Sequence, residues 1–177
     1  MKIGDTVKFG KHDWVVLDIQ GDKALLLMRD LLPETRSYHG KNEPITWENC
    51  DLRKWLNSEW LRSEFTDTER AQIDVTWVDN WGSPVYDTAG GADTWDKVFL
   101  LSIEDNRHYR RGIPNVAGWW WLRSPGRDST YAANVYSDGT VLVIGFFVNH
   151  GNTGIRPAMW VNLGAFKNES EAQNGKN

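Results

Sequence analysis

Three consecutive tryptophans, Trp119, Trp120 and Trp121, stand one residue before an Arg-Ser-Pro-Gly turn in the stretch GWWWLRSPGRDS. Adjacent residues of a β-strand point to opposite faces, so the three rings cannot all enter one core. At least one ring must face a second layer, a loop or a ligand. We expect Trp120 and Trp121 to divide between the core and the support of a loop, with Trp119 added to a surface.

Tryptophan content also constrains the core of this chain. The 177 residues include 11 tryptophans, and each indole can bury ~150–250 Å². A chain of this length is expected to form one domain around one core. We therefore predict a single domain over residues 1–166 with an indole-rich core. The polar tail, residues 167–177, is predicted to be disordered.

Charge and cysteine usage exclude several classes of protein. The net charge is -4 and the basic residues are scattered, which disfavours a nucleic-acid partner. The single cysteine, Cys50, excludes an intrachain disulfide and a multi-cysteine zinc site, and we interpret it as a small apolar residue near a helix start. No apolar run approaches the roughly 18 residues of a membrane span, and the N-terminus has no apolar signal core. We expect synthesis inside the cell without membrane insertion, with a phage particle or a larger surface protein as the carrier to the outside.

Turn residues divide the chain into short elements. The first 30 residues predict a β-meander of three strands. Asn49 is predicted to cap a helix over CDLRKWLNSEWL, and capping boxes predict further short helices after Thr66 and Ser102. KVFLLS is predicted to be a buried strand, and residues 79–95 a long irregular segment. The last third is predicted to be β again, in the runs WWWLRS, YAANVYS, TVLVIGFFVN and GIRPAMWVNL.

Strands at both ends enclosing two or three short helices predict an α+β fold whose termini meet in one sheet. Arg123 and Arg156 each stand beside an aromatic residue or a proline. A guanidinium at a strand end can stack on an indole and hydrogen-bond loop carbonyls. We therefore expect both arginines to be structural.

Catalytic and metal-binding patterns are weak in this sequence. The four histidines, at positions 12, 39, 108 and 150, are isolated, and Ser124 does not lie in a Gly-x-Ser-x-Gly motif. Asp87, Asp93 and Asp96 could offer oxygen ligands to a cation such as Ca²⁺, but Asp and Gly at turns explain the same letters without an ion. We predict no catalytic residue, no metal and no cofactor.

The late hairpin gives the clearest functional signal. We predict a two-residue turn at Asp138-Gly139 and the strand pairs Ser137–Thr140, Val135–Leu142, Ala133–Ile144 and Tyr131–Phe146. Both faces of this ribbon are apolar or aromatic. Either the ribbon is buried on both faces, or one face and the loops RDSTYAAN and NHGNTG form an exposed binding surface.

The frame WWLRSPG, then ANV-x-SDG-x-V, a glycine three residues later, and the closing GIRPAMWVNL resembles an uncharacterised bacterial and phage domain family. TWENCDLRKWLN and DTWDKVFLLSIED resemble the same family. Its members include variable proteins of diversity-generating retroelements, which have a C-type lectin-like fold related to the formylglycine-generating-enzyme group. The resemblance implies that fold here, with mixed antiparallel sheets, two or three short helices and long loops.

In such proteins a fixed scaffold carries a C-terminal segment whose codons are diversified, which here would be residues 119–163. The resemblance implies frame positions at Trp120, Leu122, Arg123, Ser124, Pro125, Gly126, Asp138, Gly139, Val141, Gly145, Val148, Arg156, Pro157 and Trp160. It implies variable slots at Asp128, Ser129, Tyr131, Tyr136, Thr140, Leu142, Val143, Ile144, Phe146, Phe147, Asn149, His150 and Asn152. With Trp119, these slots form the predicted ligand-binding set.

The related enzymes require a pair of active-site cysteines, and calcium-dependent lectins require Glu-Pro-Asn type ligands in the late loops; the late loops here lack that motif, and the chain has one cysteine. The sequence therefore predicts a non-enzymatic module that binds a protein or cell-surface ligand as a monomer or small oligomer. In this prediction Tyr131, Tyr136, Phe146 and Phe147 act as anchors, while Asn149, His150 and Asn152 supply hydrogen bonds. Two alternatives stay open: a phage or cell-surface structural protein that oligomerises through the hairpin, and an enzyme with a site in residues 79–95.

Overall fold

The structure is a computed structural model and describes residues 1–166; the tail that the sequence predicts to be disordered lies outside the described residues. The fold is α+β with antiparallel sheets and short helices, as predicted. Its strands are β1 (Thr6–Phe9), β2 (His12–Gln20), β3 (Lys23–Met28), β4 (Thr76–Val78), β5 (Thr94–Asp96), β6 (Trp120–Pro125), β7 (Tyr131–Val135), β8 (Val141–Phe147) and β9 (Ala158–Asn162).

The first sheet has the strand order β1-β2-β3-β9 and is antiparallel throughout. The predicted meander and the predicted meeting of the two ends of the domain in one sheet are both confirmed. Leu26 of β3 lies opposite Met159 of β9, and both side chains are buried. Because β3 and β9 are buried along most of their length, this sheet forms one wall of the core.

The second sheet has the order β6-β7-β8 and carries the late hairpin. The three strands are confirmed, but the predicted register is wrong. Val135 lies opposite Val141, and Tyr131 lies opposite Phe147. The connection has three residues, since the N–H groups of Tyr136 and Gly139 donate to the Thr140 and Tyr136 carbonyls and Gly139 adopts φ +83°. Three-residue hairpin loops commonly end in such a left-handed glycine.

A bulge at Gly145 shifts the register a second time. The pairing changes between Ala132 and Asn134, and Gly145 adopts φ +74°. A Cβ atom at this position would lie 2.1 Å from the Ala132 carbonyl oxygen. Only glycine fits this close approach of two strands.

The helical segment after residue 50 consists of α1 (Asp51–Trp55), a π-helical turn (Leu56–Trp60) and α2 (Leu61–Glu64). Its N-cap is Cys50, not the predicted Asn49, which lies in a preceding 3₁₀ turn. The Cys50 sulfur accepts a hydrogen bond from the Arg53 N–H, and burial raises the pKa of the thiol to about 12. Both predicted capping boxes are present, and they open α3 (Asp67–Gln72) and α4 (Ile103–His108).

The predicted strand KVFLLS is wrong. In the part of the chain that the structure describes, residues 97–102 form one isolated bridge, between Phe99 and Ala158, and no strand. The Asn57 side chain takes the place of a neighbouring strand, because its Oδ1 accepts the N–H groups of Lys97 and Val98 and its Nδ2 donates to the Val98 carbonyl. Buried apolar runs cannot be assigned to strands by sequence pattern alone.

Indoles occupy much of the core, as predicted. Of the 11 tryptophans, the buried ones are Trp14, Trp47, Trp60, Trp120 and Trp121, and the exposed ones are Trp77, Trp81, Trp95 and Trp119. Among residues 1–166 no helix combines the length and the apolar character needed to cross a membrane.

Candidate functional site

The three consecutive tryptophans separate as predicted. Trp120 is buried in the core, where the Arg156 guanidinium lies 5.2 Å from the centre of its ring. Trp121 is buried on the other face of β6 and supports a loop, since its Nε1 donates to the Arg36 carbonyl at 2.8 Å. Trp119 remains 44% exposed.

Trp119 is part of a group of four rings that we call the aromatic array: Trp119, Tyr136, Phe146 and His150. The ring of Trp119 lies 5.0 Å from those of both Tyr136 and Phe146, and Phe146 lies 5.1 Å from His150. The array crosses from the residue before β6 to the ends of β7 and β8 and the loop that follows. All four side chains are half-buried or exposed, so each ring of this contiguous group retains some accessible surface.

Two further predicted anchors, Tyr131 of β7 and Phe147 of β8, lie on the opposite face of the second sheet. Phe147 is 46% exposed and its ring lies 4.3 Å from that of Tyr131. The Arg127 guanidinium covers Tyr131 at 4.2 Å, which leaves Tyr131 only 9% exposed. Tyr131 is therefore a support for Phe147 and not a free anchor. Since Phe146 and Phe147 are adjacent on a strand, they cannot share a face, and the predicted binding set is divided between two faces.

Most of the remaining predicted slots are accessible. Asp128, Thr140, Ile144, Asn149 and Asn152 are exposed, and Ser129, Leu142 and Val143 are half-buried. Asp128 is already engaged in a local turn, because its Oδ1 accepts the Thr130 N–H and hydroxyl. These bonds and the Arg127 cation hold the pKa of Asp128 below its usual value. His150 is oriented by a 2.9 Å hydrogen bond between Nδ1 and the Thr153 hydroxyl.

Asn134 is a residue that sequence reasoning missed. It lies in β7, opposite Trp121 of β6 on one side and Leu142 of β8 on the other, and it is fully buried. Within residues 1–166 neither its Oδ1 nor its Nδ2 has a hydrogen-bond partner. A buried unpaired amide is costly. The sequence signal was an asparagine amid the otherwise apolar run YAANV, although pattern alone could not reveal whether it was paired.

The two arginines behind the sheet are structural, as predicted. Arg156 is fully buried and donates through Nε, Nη1 and Nη2 to the carbonyls of Met28, Pro114 and Arg29. Burial lowers the pKa of Arg156 to about 10, so it stays protonated at neutral pH. Arg156 therefore joins three chain segments beneath Trp120.

Arg123 donates to the carbonyls of Leu100 and Asp79 and pairs with Asp105. Burial opposes ionisation of Asp105, but Arg123 and Ser102 outweigh it and hold the pKa of this carboxyl below its usual value. The pair adjoins a cavity of about 120 Å³ that Trp77 and Tyr109 also line. A general acid near neutral pH needs a raised carboxyl pKa, so Asp105 does not fit that role.

The three aspartates considered as cation ligands do not converge. Asp87 is exposed, Asp93 accepts the Asn80 N–H, and Asp96 is buried beside Trp47. In residues 1–166 no three His, Cys, Asp or Glu side chains are placed to hold a metal ion. The turn and packing interpretation of these residues fits their contacts. Ser124 is also structural: it is buried in β6, and its hydroxyl accepts the Ile103 N–H at the start of α4.

Residues 21–163 match a protein family that is described as a domain of unknown function, DUF6273. This chain belongs to the DUF6273 family. The DUF6273 match runs from the β2–β3 turn to the end of β9, and it contains the complete aromatic array. No curated protein and no solved structure has a significant similarity to the chain.

Proposed function

We propose that this DUF6273 domain is a non-enzymatic binding module that presents the aromatic array to a protein or cell-surface ligand. The observation that carries the proposal is the continuity of the array: four neighbouring rings, from four separate parts of the second sheet and its loops, all retain accessible surface. Aromatic side chains contribute large contact areas at low entropic cost, and they are enriched among the residues that dominate binding energies.

The layer beneath the array favours a rigid surface. Trp120 and Trp121 are buried on opposite faces of β6, and β7 is buried along its full length. Arg156 fixes the adjoining segments through three carbonyl bonds. Side chains held in place before binding lose less freedom when a ligand arrives, which increases affinity.

We further propose a C-type lectin-like fold with a diversified segment over residues 119–163. The pairing of β3 with β9 and the separate late sheet with its long loops support this fold. Burial supports the division into frame and slots. Most frame positions are buried, including Trp120, Arg123 and Gly145, whereas every slot except Tyr131 is half-buried or exposed. Such a surface can vary while the core stays constant. Display as a monomer or small oligomer on a phage particle or a larger surface protein is consistent with this role.

Binding to a panel of intact bacterial cells and to a glycan array tests the proposal directly. The fluorescently labelled domain is compared with the double variant W119S/F146S, and the matched control is W77S/W95S, which removes two exposed tryptophans elsewhere. We expect the array variant to lose about 100-fold in affinity, as for two residues of high binding energy, and the control to bind normally. Equal binding by all three folded proteins, or no binding by the unmodified domain, contradicts the proposal.

The diversification is tested separately by sequencing the neighbouring DNA. We expect a reverse-transcriptase gene and a near-copy of the segment that encodes residues 119–163, with differences mainly at adenines. If no such copy exists, the diversification is wrong and the binding proposal depends on the cell and glycan measurements alone.

A further inference from the structure

Strand β8 is the open edge of the second sheet. Within residues 1–166 it pairs with β7 on one side and with no strand on the other. The other edges of the two larger sheets are covered or protected. β6 is bridged to Gly154, and β9 is bridged to Ile73 and Phe99. β1 has only four residues, TVKF, and carries Lys8. Short length and lysine are common protections of sheet edges.

The seven residues of β8, VLVIGFF, include neither a charged residue nor a proline. The bulge at Gly145 interrupts only the second half of the strand. Unprotected apolar edges pair readily with another extended chain. The loop after β6 covers one part of β8, where the Arg127 N–H donates to the Ile144 carbonyl. The open part of the edge is therefore Val141 to Val143.

The hairpin geometry fixes which backbone groups face outward. Tyr136 donates to the Thr140 carbonyl, so these two residues form a hydrogen-bonded pair. Hydrogen-bonded and non-hydrogen-bonded pairs alternate along the regular part of an antiparallel ladder, so the N–H and C=O groups of Val141 point away from β7. Leu142 pairs with Asn134, so its carbonyl faces β7, and the N–H of Val143 on the same trans peptide plane points away. Neither residue takes part in a backbone hydrogen bond outside the sheet within residues 1–166. The edge thus offers two donors, the N–H groups of Val141 and Val143, and one acceptor, the Val141 carbonyl, to an added strand.

The side chains beside this edge suit apolar residues of such a strand. Leu142 lies opposite Asn134, on the face of Trp121, and it is half-buried like Val141 and Val143. The side chains of an added strand alternate between the two faces. Those on one face would lie near Leu142 and the aromatic array, and those on the other near Val141 and Val143.

The short open edge favours a peptide over a second copy of the domain. Three residues span about 10 Å of strand, so pairing along this edge alone brings only a few residues of each chain together. A stable dimer needs about 800 Å² of buried surface on each partner, which is far more than such a short edge supplies. We propose that the edge of β8 at Val141–Val143 binds an extended apolar segment of a partner protein by strand addition, beside the aromatic array. Recognition through the backbone gives affinity, and the flanking side chains select the sequence. This inference rests on the proposed binding function and names its class of ligand.

A random dodecapeptide display library provides the probe. The library is first passed over the W119S/F146S variant to remove peptides that do not need the array, and the remaining peptides are selected on the unmodified domain. Each selected peptide is then synthesised in two versions, one with N-methyl groups at the odd-numbered backbone nitrogens and one with N-methyl groups at the even-numbered nitrogens. In an added strand only alternate N–H groups face β8. We therefore expect one of the two methylated versions to bind at least about tenfold more weakly, because it loses the hydrogen bonds to β8, and the other version to bind almost normally. Equal binding by the two methylated versions, or a library that yields no array-dependent peptide, overturns strand addition; binding to cells or glycans would still support the proposed function.

A variant of the domain tests the same hydrogen bonds by changing β8 instead of the peptide. V143P removes the outward N–H, whereas the control V143A keeps it; circular dichroism and thermal unfolding establish that both fold. We expect V143P alone to weaken the selected peptides at least about tenfold. Light scattering of the unmodified domain gives the remaining outcome: a dimer that V143P dissociates places a second copy on this edge and contradicts the peptide proposal.

Discussion

Exposed tryptophans lie in two regions of this molecule, and the regions are built differently. Trp119 belongs to the aromatic array on a three-stranded sheet. Trp77 and Trp95 lie 5.1 Å apart on a ribbon of two three-residue strands, and they are 49% and 61% exposed. Two-stranded ribbons are marginal on their own. The two regions share exposed tryptophans and differ in what surrounds them. The array has neighbouring rings on several strands and a buried layer below them, which is why the binding proposal is based on the array.

The largest expected effect comes from removing the support beneath the array. Arg156→Met leaves three carbonyls, of which that of Met28 is buried, without their charged donor, and is expected to reduce the free energy of unfolding by about 3 kcal/mol. Urea denaturation measures the loss, and tryptophan fluorescence reports the surroundings of Trp120. The exposed Arg62→Met serves as a control and should lie within about 0.5 kcal/mol of the unmodified protein. Similar stabilities of the two variants would mean that the array does not depend on Arg156.

In the region of the β4–β5 ribbon, the comparable support is the ion pair between Arg123 and Asp105. This pair adjoins the cavity that Trp77 lines. Because the pKa of Asp105 is lowered in the fold, its contribution is present above about pH 3.9, the ordinary pKa of aspartate, and is lost as pH falls through the folded-state pKa. Asp105→Asn is expected to cost about 2 kcal/mol near neutral pH and to flatten the acid side of the stability curve. Urea denaturation across acid and neutral pH tests this, and an unchanged acid limb would argue against the pair.

The variant Asn134→Leu tests whether the buried amide of Asn134 contributes to stability or to binding. Asn134→Leu replaces an unpaired buried amide with an apolar side chain of similar size, and it is expected to increase stability by about 1 kcal/mol. Thermal unfolding measures the gain. A loss of stability would indicate that the amide has partners in solution, whereas a gain accompanied by weaker peptide binding would indicate that the buried Asn134 positions the surface that the peptide contacts.

The smallest stability effects are expected at the exposed rings themselves. Trp119→Ser and Trp77→Ser should each change the free energy of unfolding by at most about 1 kcal/mol, since neither side chain belongs to the buried core. Their effects on binding should differ, because only Trp119 belongs to the array. If Trp77→Ser weakened binding as much as Trp119→Ser, the distinction between the two regions would be wrong.

Local chemistry explains which features could be predicted from sequence. Thr66 and Ser102 each stand three residues before a carboxylate, and that spacing is sufficient to define a helix start. The Asp138-Gly139 pair located the hairpin. It did not set the register, because a left-handed Gly139 closes either a two-residue or a three-residue loop, and the bulge at Gly145 depends on the approach of Ala132.

Long-range contacts explain the remaining differences. Residues 97–102 have the composition of a strand, yet the distant Asn57 side chain satisfies their backbone groups. Tyr131 was predicted as an anchor, but Arg127 and Phe147 cover it. The aromatic content of the late segment thus indicated that this segment contributes exposed rings. Which of the rings are exposed depends on how the three strands of the second sheet pack, and the sequence pattern does not give that. The edge of β8 likewise depends on which strands pair, and sequence pattern leaves that open.

The buried helix cap at Cys50 has a practical consequence for experiments on this surface. Its thiol is fully buried and its pKa is raised to about 12, so it should resist alkylating reagents at neutral pH. A cysteine introduced at Asn149 or Asn152 would then be the sole reactive thiol, and dyes or crosslinkers could be attached there without first removing the native residue.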